Sequence, residues 1–186
     1  MIRRQMLAAL LLLVVLTAVL GVLYPLAVTA AAQLTMQEEA DGSLVRSGGE
    51  VVGSSLLGQD FSGPEWFHGR PDPFDPQASG PTNLGPSSGV LARAVGSAFA
   101  ALRADGLVVG LIPADALSGS GSGLDPHISP ECARLQAPRV AAARGLPVDQ
   151  VLGLAERSTE GRAFGFLGEP RVNVLLLNLA LAGLHP

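Results

Sequence analysis

Chemistry-bearing residues crowd into one passage, Ser118-Gly119-Ser120-Gly121-Ser122-Gly123-Leu124-Asp125-Pro126-His127-Ile128-Ser129-Pro130. A hydroxyl, an imidazole and a carboxylate this close suggest nucleophilic catalysis by Ser120 or Ser122 with His127 and Asp125. A nucleophile elbow needs glycine two residues before and two after its serine, and neither Ser120 nor Ser122 has both. A second chemistry is an anion nest, in which successive amides of the glycine-rich run face a phosphate or carboxylate. The plainer reading is a tight turn. Glycine permits positive φ there, while serines and Asp125 hydrogen-bond neighbouring amides.

The remaining titratable residues narrow the choice. His68, His127 and His185 are scattered without helix or hairpin ligand spacing, so no metal site is expected and His127 reads as a loop or interface residue. All 12 basic residues are arginine, which excludes a phosphate-cradling Walker lysine and a Schiff-base lysine. Arg134, Arg139, Arg144 and Arg157 read as solvated helix faces, with a patch for an acidic partner as the sharper alternative. Cys132 is the only cysteine, so an internal disulfide is impossible and the thiol is expected to pack as a small apolar group. A net charge of −4 argues against a nucleic-acid partner.

The elements that must position these residues follow from capping and periodicity. Gly42–Arg46 and Val51–Leu57 read as strands joined by the turn Ser47-Gly48-Gly49-Glu50. From Gly58 to Gly89, six prolines forbid regular structure, while Phe61, Trp66, Phe67 and Phe74 predict an ordered loop pinned by aromatic anchors. Ser87 or Ser88 caps a helix over Val90–Ala104 with an apolar stripe of Leu91, Val95, Ala98 and Leu102, ended at Gly106. Leu107–Ile112 reads as a short strand. Ser129 before Pro130 and Glu131 starts another helix, which Pro138 should break or kink and Gly145 should stop. Val148–Arg157 predicts a helix facing inward with Val148, Val151, Leu152 and Ala155. Phe164–Leu167 reads as a strand, and Asn173 caps an apolar core helix, Val174–Ala182.

Ahead of all this lies Leu7 to Ala32, an uncharged apolar run that includes Leu20, Tyr24 and Pro25. It is long enough to cross a hydrocarbon core about 30 Å thick as a helix. Arg3 and Arg4 precede it, and Glu38, Glu39 and Asp41 follow. The expected orientation therefore keeps residues 1–6 in the cytoplasm, spans with 7–32 and exports 33–186. A cleaved signal peptide ending at Ala30-Ala31-Ala32 competes, but its apolar core would be shorter, about 7–15 residues. A buried core helix of this length would keep a polar face. Together these readings predict an α+β fold: one membrane helix followed by a single extracytoplasmic domain of about 150 residues.

Blocks along nearly the whole chain carry a family resemblance. They include Val52-Gly53-Ser54 with Leu57-Gly58-Gln59, Arg70-Pro71, Asn83-Leu84-Gly85-Pro86-Ser87, Ser120 to Pro130, Gln136 with Pro138-Arg139-Val140, and Leu167-Gly168-Glu169-Pro170-Arg171-Val172-Asn173-Val174-Leu175. The chain resembles the C subunits of the Kdp-type high-affinity potassium-transporting ATPases. Departures are local: Trp66 stands where the family has Tyr, and Asp72-Pro73-Phe74 replaces a Ser-Ala pair. Pro81 stands in place of a Gly, and Ser118-Gly119 in place of a Thr-Ala-like pair.

The resemblance implies an accessory subunit with no catalytic residue, no metal and no cofactor of its own, in a plasma-membrane complex that uses ATP and potassium. Implied partners are a potassium-channel-like subunit, an ATP-hydrolysing subunit and the lipid bilayer, but no nucleic acid. It also implies an alternative, a catalytic chaperone that raises ATP affinity. Leu117-Ser118-Gly119-Ser120-Gly121 resembles the ABC-transporter signature loop, which makes Ser118, Gly119, Ser120, Gly121, Ser122 and Gly123 nucleotide candidates. The expected orientation puts that loop away from cytosolic ATP and favours an extracytoplasmic cap. Asp125, His127, Ser129, Gln136, Arg139, Glu169 and Arg171 are then candidate partner contacts, and Leu7, Leu20, Tyr24 and Ala32 candidate anchor residues. Asp125, Glu160 and Glu169 are candidates for raising local cation concentration. A membrane-tethered serine hydrolase is the remaining rival.

Overall fold

The computed structural model describes residues 2–72, 74–107, 110 and 112–184. It divides into two compact units, residues 1–44 and 45–186.

The first unit is built on one long helix. Ile2–Ala18 (α1), a π-helical turn Val19–Leu23 and Tyr24–Thr35 (α2) run on as 34 residues, apolar and long enough to cross a membrane by length and composition. At ~1.5 Å per residue this is about 50 Å, more than a hydrocarbon core requires. Pro25 accounts for the π turn. It has no N–H to offer the carbonyl four residues back, and the preceding Tyr24 N–H donates to Val19 O, five residues back. Leu7, Leu20 and Tyr24 are exposed and Ala32 is half-buried. Not one residue of α1, the π turn or α2 is buried. A short helix, Gln37–Ala40 (α3), follows.

The second unit is α+β. Leu44–Ser47 (β1) and Glu50–Ser54 (β2) form the expected hairpin, with Gly48 at φ 60° and Gly49 at φ 90° supplying a type I′ turn. The second strand is shorter than expected because the chain turns at Ser54: Leu57 N–H donates to Ser54 O. Ser88 caps Gly89–Ala104 (α4), its hydroxyl accepting from the Val90 and Leu91 amides. The four residues of the expected stripe, Leu91, Val95, Ala98 and Leu102, are half-buried, and no α4 residue is fully buried. Of the strand expected over Leu107–Ile112, residues 108, 109 and 111 lie outside the described residues. A 3-10 turn, Ala114–Ala116, leads to His127–Ile128 (β3).

The core lies where three helices cover a small sheet. Pro130–Arg144 (α5) starts on the Ser129 cap and stops at Gly145, whose φ of 67° glycine adopts without strain. Pro138 does not break α5. One amide bond is lost, but Ala137, Val140 and Ala141 are fully buried beside it and hold the helix in place. Val148–Arg157 (α6) buries Val151, Leu154 and Ala155, whereas Val148, expected inside, is exposed. Packing against α5 sets that face, and it is rotated from the one the sequence suggests. Thr159–Glu160 (β4) and Arg171–Asn173 (β5) complete an antiparallel sheet ordered β3-β5-β4, with Val172 paired to both Ile128 and Thr159. Asn173 caps Val174–Ala182 (α7), its carbonyl oxygen accepting from Leu176 N–H. Phe164–Leu167 is not a strand: Phe164 has φ 53° and the segment closes a tight turn through the Ala163–Leu167 bridge.

Candidate functional site

The proline-rich segment after β2 is held as an ordered loop by side chains reaching out of the helices. Asn178, 1% exposed within apolar α7, accepts from Phe67 N–H and donates to Phe67 O, both at 2.9 Å. Gln136 of α5 does the same for the next residue, accepting from His68 N–H at 2.8 Å and donating to His68 O at 3.0 Å. Two amide side chains thus satisfy the polar backbone that a loop carries inward. Phe67 is fully buried, and Phe61 and Trp66 pack against the core with ring centroids 5.9 Å apart. Phe74, expected as a fourth anchor, is instead exposed.

Two of the arginines expected on solvated faces hold the same loop. Arg139 donates to the carbonyls of Gly63, Pro64 and Trp66 and to Gln136 Oε1, with its side chain only 7% exposed. Arg144 donates to Glu65 O at 2.8 Å and lies 4.3 Å above the Trp66 ring, a cation–π contact. Gln136 and Arg139, candidates for a partner surface, are therefore turned inward. Arg134 and Arg157 are exposed as expected. Arg139 Nε is buried without a hydrogen-bond partner among the described residues, 3.7 Å from Asp105 Oδ2. Burial lowers the pKa of its guanidinium, with Asp105 and Glu65 opposing.

The Gly/Ser passage packs against this loop and uses its polar atoms internally. Ser120 N–H donates to both carboxylate oxygens of Asp72 at 2.9 Å. Arg70 donates to Ser118 O, Ser118 Oγ and Gly119 O, and its guanidinium lies 3.8 Å from Asp125. Ser120 Oγ accepts from Gly123 N–H and Ser122 Oγ from Leu124 N–H. Ser122 O accepts from Gly80 N–H and Ser79 Oγ. Gly58 N–H donates to Leu124 O at 2.8 Å, an approach so close that a Cβ on Gly58 would stand 3.0 Å from Asp125 O. These bonds are those of the plainer reading, a turn held by its own serine hydroxyls and Asp125, with the Ser120 amide taken by the Asp72 carboxylate.

No hydrogen bond joins His127 to Ser120 or Ser122 among the described residues. Asp125 Oδ1 accepts from His127 N–H at 3.0 Å and lies 3.2 Å from His127 Nδ1, which makes an Asx turn with its own imidazole folded back. The triad reading thus lacks its nucleophile–base contact. Ser129 Oγ accepts from Cys132 N–H while donating to Asp115, so it serves the α5 cap. Among the described residues no group of three or more His, Cys, Asp and Glu side chains clusters as metal ligands, and His185 lies outside them.

Glu169 and Arg171 stay exposed, as partner candidates should be, but each is ion-paired: Glu169 with Arg162 at 2.6 Å and Arg171 with Glu160 at 2.9 Å. All three acids expected to gather cations have an arginine partner, which reduces the field they cast.

A cavity of about 320 Å³ lies between the loop, α4 and α5, lined by Phe61, His68, Arg70, Leu102, Cys132 and Arg139 among others. Burial pushes the Cys132 thiol up to about 12, with Asp115 adding to the effect. Burial also lowers His68, with Arg139 reinforcing the shift and its contact to Gly63 O opposing it. Both groups are neutral at pH 7, so the cavity holds neither a reactive thiolate nor an imidazolium.

Asp72, Asp105, Asp115 and Asn178 hold the site together without having been candidates for it. Only Asn178 carried a readable signal: a lone amide in a wholly apolar helix must find buried partners.

Comparison with known proteins agrees with this architecture. The pattern described as KdpC, K+-transporting ATPase, c chain, matches residues 6–183. A potassium-transporting ATPase KdpC subunit of Kineococcus radiotolerans is 54% identical, covering 98% of this chain and 95% of its own length. Its counterpart in Sorangium cellulosum is 54% identical over 94% of this chain and 95% of its own. That of Mycobacterium bovis is 48% identical over 96% and 98%.

Proposed function

Because the chain belongs to the KdpC family of K+-transporting ATPase c chains, we propose that it is a non-catalytic accessory subunit of an ATP-driven potassium importer. It stabilises the assembly of a channel-like subunit with an ATP-hydrolysing one. One observation carries the reading: a 34-residue apolar helix with no buried residue precedes a folded domain whose chemistry-bearing side chains are spent on holding that domain together. Lipid and partner helices are the surroundings that such a stem requires. The Arg3-Arg4 pair before it and the acids after it favour an N-terminus in the cytoplasm and a domain outside.

Copurification of the neighbouring membrane subunits with the full chain, with and without residues 1–32, tests the reading. Retention by the full chain and loss on truncation is expected; equal retention would remove the stem from assembly. Protease added to intact spheroplasts should cut the domain. Protection there would place it in the cytosol and revive the nucleotide-affinity alternative, which requires Asp72 to leave the Ser120 amide.

A further inference from the structure

No residue of α4 is fully buried, whereas α5, α6 and α7 each bury several. Its half-buried stripe faces the cavity of about 320 Å³, with Ala98 and Leu102 in the wall. Phe61, Leu124 and Val174 extend the apolar lining. Such a volume sits at the small end of the roughly 300–1,000 Å³ that ligand sites occupy.

The same wall holds Arg139, whose side chain is only 7% exposed. Its Nη1 is spent on the carbonyls of Gly63 and Pro64, and its Nη2 on Trp66 O and Gln136 Oε1. Its Nε is the one buried side-chain nitrogen or oxygen without a hydrogen-bond partner among the described residues. Nε faces Asp105, another lining residue, but Asp105 Oδ2 at 3.7 Å is beyond hydrogen-bond reach and its side chain is exposed to water. A buried N–H without an acceptor is destabilising, and an oxygen brought into the cavity relieves it.

We propose that this cavity binds a small neutral molecule with an apolar body and a carbonyl or amide oxygen, which accepts a hydrogen bond from Arg139 Nε. Charge selects against the alternatives. Asp60, Asp72, Asp105 and Asp125 line the cavity against Arg70 and Arg139, while His68 and Cys132 are neutral there at pH 7. The excess of carboxylate disfavours an anion, and the guanidinium at the hydrogen-bonding point disfavours a cation. A wholly apolar ligand would leave the Nε–H buried without an acceptor. The bound molecule packs against Ala98 and Leu102, so its occupancy holds α4 to the rest of the domain. This site goes beyond the accessory-subunit reading and does not depend on it.

Benzamide is the probe, because it joins a phenyl body to a neutral amide oxygen. Titration into the full-length chain in detergent is followed by Trp66 emission, since the Trp66 ring lies 5.9 Å from that of Phe61 in the wall. A saturable change with Kd of about 1 mM or tighter is expected for so small a ligand. Toluene, which lacks the oxygen, and benzoate, which carries a charge, should bind at least about ten-fold more weakly. Ala98→Leu fills the cavity from α4 and Ala116→Leu from the 3-10 turn, and both leave the Arg139 clamps in place. Each variant with a circular dichroism spectrum like the parent's should weaken benzamide by at least about ten-fold. No saturable change, toluene or benzoate binding as well as benzamide, or parent-like binding by a folded filling variant would overturn the proposal. The comparison of the three ligands decides the matter even where a filling variant fails to fold. Because the chain is titrated alone, either result leaves the copurification test of the accessory role untouched.

Discussion

Asn178→Leu removes the clamp on Phe67 while keeping nearly the volume of the side chain. Phe67 N–H and Phe67 O each lose a 2.9 Å partner beside a fully buried ring, at a position where Asn178 itself is 1% exposed. Each orphaned buried group costs ~1–3 kcal/mol, and the added apolar burial returns part of it, so the net loss is about 2–4 kcal/mol. For a folded unit of this size, ~3 °C is lost per kcal/mol, which puts the fall in Tm at roughly 6–12 °C. The chain supplies its own reporter: Trp66, the only tryptophan, sits next to Phe67 in the clamped loop. Thermal unfolding of the full chain in detergent, followed by Trp66 emission and by circular dichroism, reads both the loop and the core. Emission should shift red at temperatures where the helices are still intact. A Tm within about 1 °C of the parent, with unchanged emission, would refute the view that Asn178 holds the loop.

Three further outcomes are expected. Cys132, with its thiol pushed up to about 12 by burial, should resist a thiol reagent at pH 8 in the native chain and react at once in denaturant; rapid native labelling would contradict its placement. His68 has a folded pKa lowered below 6.5, so the unfolded chain binds its proton first; stability is full above about pH 6.5 and falls as pH drops below it, and His68→Gln should flatten that part of the Tm–pH curve. Gly119→Ala would push a methyl group into the Asp72 carboxylate and free the Ser120 amide; protease nicking near residues 118–123 should rise several-fold, whereas Gly121→Ala, which meets open space, should behave like the parent.

Local chemistry made much of the fold readable. Ser88, Ser129, Asn173 and Gly145 end helices where capping rules place them, and the half-buried stripe of α4 is the one its periodicity names. Misreadings arose where distant partners decide. Arg139 and Arg144 sit at ordinary positions on α5, and only the return of residues 63–66 turns them from solvated charges into carbonyl clamps. The α6 face is set by its contact with α5. Phe164–Leu167 has strand composition, but the glycines at 165 and 168, both at positive φ, wind it into a turn. The Gly/Ser run is legible as a tight turn in which serines and Asp125 hold neighbouring amides. That the Ser120 amide is taken by Asp72, 48 residues earlier, is not, because a carboxylate on a distant loop leaves no mark on local spacing.

The π turn at Val19–Leu23 gives the stem two sides. One extra residue wound into a turn rotates everything after it by roughly 100°, the angle a single residue subtends. Leu10 and Val14 on the lower half and Val28 and Ala32 on the upper half would share one face of an uninterrupted helix, about five full turns apart, and the π turn swings the upper pair out of that line. A neighbouring helix that follows the lower half must part company near Gly21, and a second neighbour can take up the upper half. A single apolar stem can thus offer grips to two different bundles, and Pro25→Ala, by letting the turn relax to ordinary winding, would swing one of those grips out of line.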